Sequence, residues 1–293
     1  MAPPLPDVPG VRHSHHELPT GVRVHVAETG PEDGRPVLLL HGWPQHWLIW
    51  RGLFGPLGER HRLICPDLRG HGWSGWPDDG DFRKARLADD ALALLDALGL
   101  ERADVIGHDW GGWTALLLGI TAPERVRSLL ALSVLHPWQP RGLALRNAWR
   151  FAYQLPLAAP VLGERLSRRE GFIRRVIRSG WRDRSMWDED AARSYEATLR
   201  TPEGARTTNR MYRTFVKSEI WRSAGGAYDR ARLPMPARLL IGEHDPLGAH
   251  MAAGFERRGE DAAYEIVPGA GHFLPEERPA VVADRALALL AAS

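Results

Sequence analysis

Thiols, excess charge of one sign and long apolar runs are all scarce in this chain, and each scarcity removes a class of function. Cys65 is the only cysteine among 293 residues, which excludes an internal disulfide and a multi-thiolate metal centre. Its place in Arg62-Leu63-Ile64-Cys65 reads as a small buried strand residue. The chain balances 38 basic against 36 acidic residues, a formal net charge of +2, so no overall field draws it to nucleic acid or to an anionic membrane. No stretch reaches the 18 or more apolar residues of a membrane span, and Met1-Ala2-Pro3-Pro4-Leu5-Pro6 lacks the basic start and apolar core of a secretory signal. A soluble, cytoplasmic protein is expected. Tyrosine is sparse at five copies while tryptophan is abundant at 12, so few phenols are on hand for acid chemistry but many rings can wall an apolar pocket.

What is present reads as an α/β protein. Hydrophobic residues make up 44% of the chain, enough for a core of this length. Residues 1–10 form a Pro-rich lead. His13, His15 and His16 resemble a metal set, but only Glu17 stands near them at ligand spacing, so a strand edge or loop is expected. Val22 to Val26 alternates as a half-exposed strand, whereas Pro36-Val37-Leu38-Leu39-Leu40 is apolar throughout, as a strand buried on both faces is. Strands then alternate with helices as far as Val134, which predicts a mostly parallel, doubly wound sheet. From His136 to about Ala227 the pattern is helical only, broken by prolines, with Thr201-Pro202 as an N-cap and first-turn pair. Sheet patterning resumes at Ala237 to Gly242 and at Tyr264 to Val267, followed by an amphipathic helix from Ala280 to Leu290. The expected organisation is a core over residues 1–134 and 231–293, with a helical cap over 135–230 inserted after the strand that ends at Val134. The basic run from Arg165 to Arg184 is read as the solvated face of cap helices.

The chemistry centres on Gly107-His108-Asp109-Trp110-Gly111. A side chain projects from a sharp strand-to-helix turn only if the residues two before and two after it are small, and Gly107 and Gly111 meet that need. The pattern is a G-x-S-x-G elbow with Asp109 in the serine place, preceded by the strand Ala103 to Ile106 and followed by an apolar helix to Ile120. A carboxylate nucleophile needs a base to activate water afterwards and an acid to orient that base. Asp245 in Gly242-Glu243-His244-Asp245-Pro246 and His272 in Gly269-Ala270-Gly271-His272-Phe273 each follow a predicted strand, at the carboxyl ends where open α/β sheets keep their sites.

The order Asp109, Asp245, His272 resembles that of α/β-hydrolases, and an Asp nucleophile is similar to the epoxide hydrolase and haloalkane dehalogenase branch; the likeness runs from about Val22 to Leu290. His41-Gly42-Trp43-Pro44 matches the family's HGxP motif. The resemblance therefore implies an oxyanion hole made by the backbone N–H groups of Trp43 and Trp110. Asp67-Leu68-Arg69-Gly70-His71-Gly72-Trp73-Ser74 resembles the family's D-x-R-G-x-G-x-S loop, read as scaffold. Asp attacking a saturated carbon becomes an alkyl ester, so water activated by His272 must then add to the Asp109 carbonyl carbon. A serine-type esterase or carbon–carbon hydrolase is disfavoured.

The leaving atom separates the two candidate electrophiles. A halide departs as a stable anion, whereas an epoxide oxygen departs as an alkoxide whose conjugate acid is comparable to water, pKa about 15.7, against about 10 for tyrosine. The gap corresponds to about 8 kcal/mol as an upper bound on the help a phenol gives. Phe151-Ala152-Tyr153-Gln154 and Asn209-Arg210-Met211-Tyr212-Arg213 resemble the F-x-Y-Q and N-x-x-Y-R stretches that carry the ring-opening tyrosines of epoxide hydrolases, with Met211 where an aromatic is usual. Leu145, Trp149, Ala152 and Tyr153 share one helical face, as do Thr208, Tyr212, Phe215 and Val216. The expectation is a cofactor-free and metal-free epoxide hydrolase acting on a small apolar epoxide and water, with Trp43, Trp110, Trp113 and Trp138 lining the pocket; a homodimer is compatible with this reading. The alternatives are a haloalkane dehalogenase using Trp110 as halide donor and a non-catalytic ligand-binding protein on the same fold.

Overall fold

Strands buried on both faces need helices on both sides, and the chain supplies them. The computed structural model describes residues 3–138 and 152–293. One sheet holds β1 (Arg12–Leu18), β2 (Val22–Thr29), β3 (Arg35–Leu40), β4 (His61–Pro66), β5 (Ala103–His108), β6 (Val126–Leu132), β7 (Ala237–Gly242) and β8 (Ala262–Val267), in the order β1-β2-β4-β3-β5-β6-β7-β8. The pairings of β1 with β2 and of β2 with β4 are antiparallel, and every pairing from β4 to β8 is parallel. Every residue of β5 is buried, as expected of a strand covered on both faces. Helices α1 (Arg51–Gly58), α2 (Lys84–Ala97) and α3 (Trp110–Thr121) follow β3, β4 and β5 in turn. Between β6 and β7 the described chain is helical: α4 (Gln154–Ala158), α5 (Leu162–Arg168), α6 (Phe172–Gly180), α7 (Glu189–Leu199), α8 (Pro202–Thr214) and α9 (Ile220–Ala224). Two helices close the chain, α10 (Leu274–Glu277) and α11 (Pro279–Ala291), and α11 packs against α1.

Thr201 caps α8 by accepting from the Gly204 N–H at 3.0 Å, with Pro202 in the first turn. The histidines near the amino terminus lie on the edge strand β1, where His13 Nδ1 is 3.0 Å from His25 Nε2. No cluster of potential metal ligands occurs among the described residues. The expected helical face of Leu145, Trp149, Ala152 and Tyr153 lies partly outside the described residues, which omit Leu145, Trp149 and Phe151, while Ala152 and Tyr153 stand in the turn that leads into α4. The face through Tyr212 and Phe215 is not one regular α-helix, because a π-helical turn, Phe215–Glu219, follows α8. No described helix is long and apolar enough to cross a membrane.

The Asp67 to Ser74 loop is built on two buried charges. Asp67 accepts from the Trp47 N–H at 2.9 Å, the Trp73 N–H at 3.0 Å and His25 Nδ1 at 2.8 Å. Burial works against that carboxylate, but His25 and its other neighbours hold its pKa far below the usual range. Arg69 forms a two-pronged pair with Asp90 on α2, both bonds 2.6 Å, and donates to the Asp81 carbonyl. The loop is thereby tied to the chain that follows β3, where the Leu68 N–H also donates to His41 Nε2 at 2.9 Å. Arg69→Met is expected to leave Asp90 buried and unpaired, lowering stability by about 3–5 kcal/mol, measured from the urea unfolding midpoint.

Candidate active site

Asp109 stands between β5 and α3 with φ 50° and ψ −117°, a left-handed conformation rare for a residue with a side chain. Its neighbours explain how the turn closes. A Cβ on Gly107 would lie 2.3 Å from the Gly111 carbonyl oxygen, and one on Gly111 would lie 1.9 Å from the Leu40 carbonyl oxygen. A third position, Gly42, is equally confined: a Cβ there would sit 2.4 Å from the Asp109 Cβ. β3, its following loop and the start of α3 therefore meet around the carboxylate. Asp109 Oδ2 accepts from the Trp43 N–H at 3.0 Å, and the Trp110 N–H also bonds this carboxylate.

The other two residues singled out by pattern reach the same place. His272, beyond β8, puts Nε2 3.8 Å from Asp109 Oδ1 and Nδ1 3.0 Å from Asp245 Oδ2. Asp245, beyond β7, also accepts from the Leu247 N–H at 2.8 Å. Burial pushes Asp109 up to about 6, a rise moderated by the His272 charge and the amides of Trp110 and Trp43. For His272 burial favours the neutral form, but the charge and hydrogen bond of Asp245, with Asp109 beside it, outweigh burial and raise the pKa to about 9. Burial raises Asp245, and the His272 interaction more than offsets it. The group as built is an ion pair aimed at one carboxylate oxygen.

Two phenols face it. Tyr153 precedes α4, Tyr212 sits on α8, and both line a cavity of about 260 Å³ with Asp109 and His272. Their ring centroids are 6.3 Å apart. Tyr153 is 46% exposed and opens onto the cavity, while Tyr212 is buried. Tyr212 is held by Trp43, whose ring packs edge-on against it at 5.1 Å and whose indole N–H donates to Thr208, one helical turn earlier, at 3.0 Å. Desolvation at the hydroxyl raises both phenols above their ordinary value even though the Tyr153 side chain is part-exposed, and the Asp109 charge adds to the rise.

The alpha/beta hydrolase fold family matches residues 35–279. The chain belongs to the α/β-hydrolase family. It is 30% identical to the AB hydrolase superfamily protein YfhM of Bacillus subtilis over 89% of this chain and 92% of that one. It is 28% identical to the soluble epoxide hydrolase of a Corynebacterium species over 95% of this chain and 97% of that one. The solved epoxide hydrolase CorEH superposes with a TM-score of 0.82 at 27% identity, covering 96% of this chain and 99% of the other.

One expected wall residue of this α/β-hydrolase lies elsewhere. Trp138 is buried, its indole N–H donates to the Tyr228 carbonyl at 2.7 Å, and its ring packs near Phe255. It is not among the residues lining the cavities at Asp109, because its buried indole N–H is committed to the Tyr228 carbonyl in the turn after α9. Trp43 lines the larger cavity, and Trp110 and Trp113 line a smaller one beside it.

Several supporting residues carry no sequence signal of their own. Glu277 is buried on α10, where Oε2 accepts from the N–H groups of Arg182, Asp183 and Gly271, and Oε1 from that of Phe273. It therefore grips both amides flanking His272 and the chain just after α6. His272 itself donates through its backbone N–H to the Gly180 carbonyl at 2.8 Å. Its own carbonyl accepts from His108 Nε2 at 2.9 Å. Burial drives the His108 pKa to about 3, so this ring stays neutral and donates from Nε2. On the opposite side, buried Lys84 pairs with Glu219 of the π turn at 3.1 Å and stands 4.2 Å above the Trp110 ring. Glu277→Gln replaces one acceptor oxygen by a donor facing amide N–H groups. It is expected to cost about 2–3 kcal/mol in urea unfolding and to lower kcat by roughly a hundredfold through displacement of His272.

Proposed function

We propose that this α/β-hydrolase is an epoxide hydrolase that turns an apolar epoxide and water into a vicinal diol through an ester on Asp109. The observation that carries the reading is a carboxylate on two backbone amides, with an Asp-oriented histidine on one side and two phenols across the same cavity. Asp109 Oδ1 attacks a ring carbon from behind while the ring C–O bond breaks. Tyr153 or Tyr212 gives its proton to the departing alkoxide, and the phenolate is reprotonated from solvent. Both phenols are raised above the ordinary value of about 10, so their advantage over water is smaller than the ~8 kcal/mol upper bound.

Hydrolysis of the ester uses the other oxygen. Oδ2, already on the Trp43 amide, is then the ester carbonyl oxygen and becomes the oxyanion when water adds to Cγ. His272 Nε2 takes the proton of that water and returns it to the diol oxygen as the C–O bond to Asp109 breaks. Esterification removes the Asp109 negative charge, one of the influences that raise His272, so forming the ester makes His272 a readier base. Asp245 holds Nδ1 and the cation throughout. The helices between β6 and β7 act as the cap that brings the phenols over the nucleophile. As a haloalkane dehalogenase the chain would rely on the Trp110 indole, but that ring lines the small cavity and lies against Tyr212.

Asp109→Ala is expected to abolish diol formation from styrene oxide. His272→Gln should stop after one turnover, leaving a protein heavier by one substrate in intact-mass spectrometry. The double change Tyr153→Phe and Tyr212→Phe should abolish ring opening and with it the adduct. Absence of the His272→Gln adduct would sink the covalent route. Activity also depends on pH in two directions. Alkylation requires ionised Asp109 and should decline as pH falls through about 6, whereas ester hydrolysis requires neutral His272 and should rise with pH to a midpoint below about 9. Stopped-flow tryptophan fluorescence resolves the two steps.

A further inference from the structure

Asp109, Tyr153 and Leu247 line two cavities of very different size. The larger, about 260 Å³, lies toward Trp43, Pro44, Val176 and Phe273, with Tyr212 and His272 at its edge. The smaller, about 20 Å³, lies toward Trp110, Trp113, Val134, Leu135 and Phe215, with Gln154. An oxirane that offers one ring carbon to Asp109 and its oxygen to the phenols sends the groups on its two carbons away from each other. A cavity of that smaller size barely exceeds the ~10–15 Å³ needed for a single water, so it admits one water-sized group. The larger one falls just under the ~300 Å³ at which drug-sized sites begin, enough for about one substituted ring.

The small cavity is also held at its size. Phe215 packs between Trp110 at 4.8 Å and Trp113 at 5.7 Å. Trp110, Trp113, Val134 and Phe215 are all buried. Phe215 opens the π turn whose Glu219 is pinned by Lys84, and Lys84 in turn lies on the Trp110 ring. Enlarging the cavity by displacement would disturb packed rings and the Lys84–Glu219 ion pair together.

We propose that the paired cavities select oxiranes bearing one apolar group of about one aromatic ring on one carbon and hydrogen or a single methyl on the other. This rests on the epoxide reading above and adds its substrate class. The test compares kcat/KM for styrene oxide, trans-β-methylstyrene oxide and trans-stilbene oxide. The first two are expected to turn over within about tenfold of each other, and the third to be slower than styrene oxide by about a hundredfold, the effect of forcing a ring into filled space. The variant Leu135→Ala, checked for an unchanged fold by its melting curve, should raise the stilbene oxide rate relative to styrene oxide by about tenfold. Comparable rates on all three oxiranes would overturn the size limit while leaving the epoxide reading intact. A folded Leu135→Ala with an unchanged ratio would also overturn it, because the small cavity would not be the cause. Failure of every oxirane, with no His272→Gln adduct, would instead overturn the epoxide reading and this inference with it.

Discussion

A carboxylate pressed onto backbone amides at a left-handed turn is the constraint on which the rest of this structure depends. Asp109 adopts φ 50°, a strain that persists only where surrounding structure over-determines it. The surroundings are β3, the loop from His41 to Gln45 and the first turn of α3, all brought within contact of the carboxylate by residues lacking a Cβ. That arrangement is an outcome of the parallel sheet, because the carboxyl ends of β3, β5, β7 and β8 open on the same edge. Trp43, Asp109, Asp245 and His272 each leave one of those ends.

Electrostatics then differentiates the members. Burial weakens the case for charge on every group at the site, yet the outcomes diverge because neighbours differ. Asp245 is held low by His272, His272 is held high by Asp245, and Asp109, with amides and a more distant imidazole, settles between them at about 6. Groups whose surroundings drive their pKa values apart are suited to separate roles in one reaction. The helical segment is tied to this edge by two carboxylates, Glu277 buried and Glu219 part-buried. Glu277 holds the chain after α6 on the histidine loop, and Glu219 holds the π turn on Lys84. Glu276 adds a third tie through Arg51 and Tyr195 of α7.

The fold was legible because its signals are periodic and local. Apolar runs such as Val37 to Leu40 and the strand into Asp109 need no tertiary context to read as buried parallel strands, and Thr201-Pro202 marks a helix start from two residues. The meeting of Asp109, Asp245 and His272 was legible for another reason: each stands in a short glycine- or proline-bearing turn just after a strand. What escaped depends on contacts between distant segments. Glu277 reads as one acid among several in Leu274-Pro275-Glu276-Glu277-Arg278, and nothing nearby tells that four amides converge on it. Lys84 reads as a surface residue at a helix start, yet it is buried. Trp138 belongs to the same class, since its partners Tyr228 and Phe255 are distant in sequence and draw it away from the site. The π turn after Tyr212 leaves no periodic trace, because one extra residue per turn looks like any helix over so short a span.

The crowding at the turn bears on how such a protein changes over evolutionary time. At Gly42, Gly107 and Gly111 even the smallest side chain would collide with backbone or with Asp109 itself, so a lineage has almost no accessible neighbours in sequence space at those positions. Leu135 and Val134, by contrast, border the small cavity and make no hydrogen bond to the carboxylate, so trimming a few carbons there leaves the amides on Asp109 in place. Substitution in the walls therefore reshapes the cavity, while the turn that holds the carboxylate tolerates almost none.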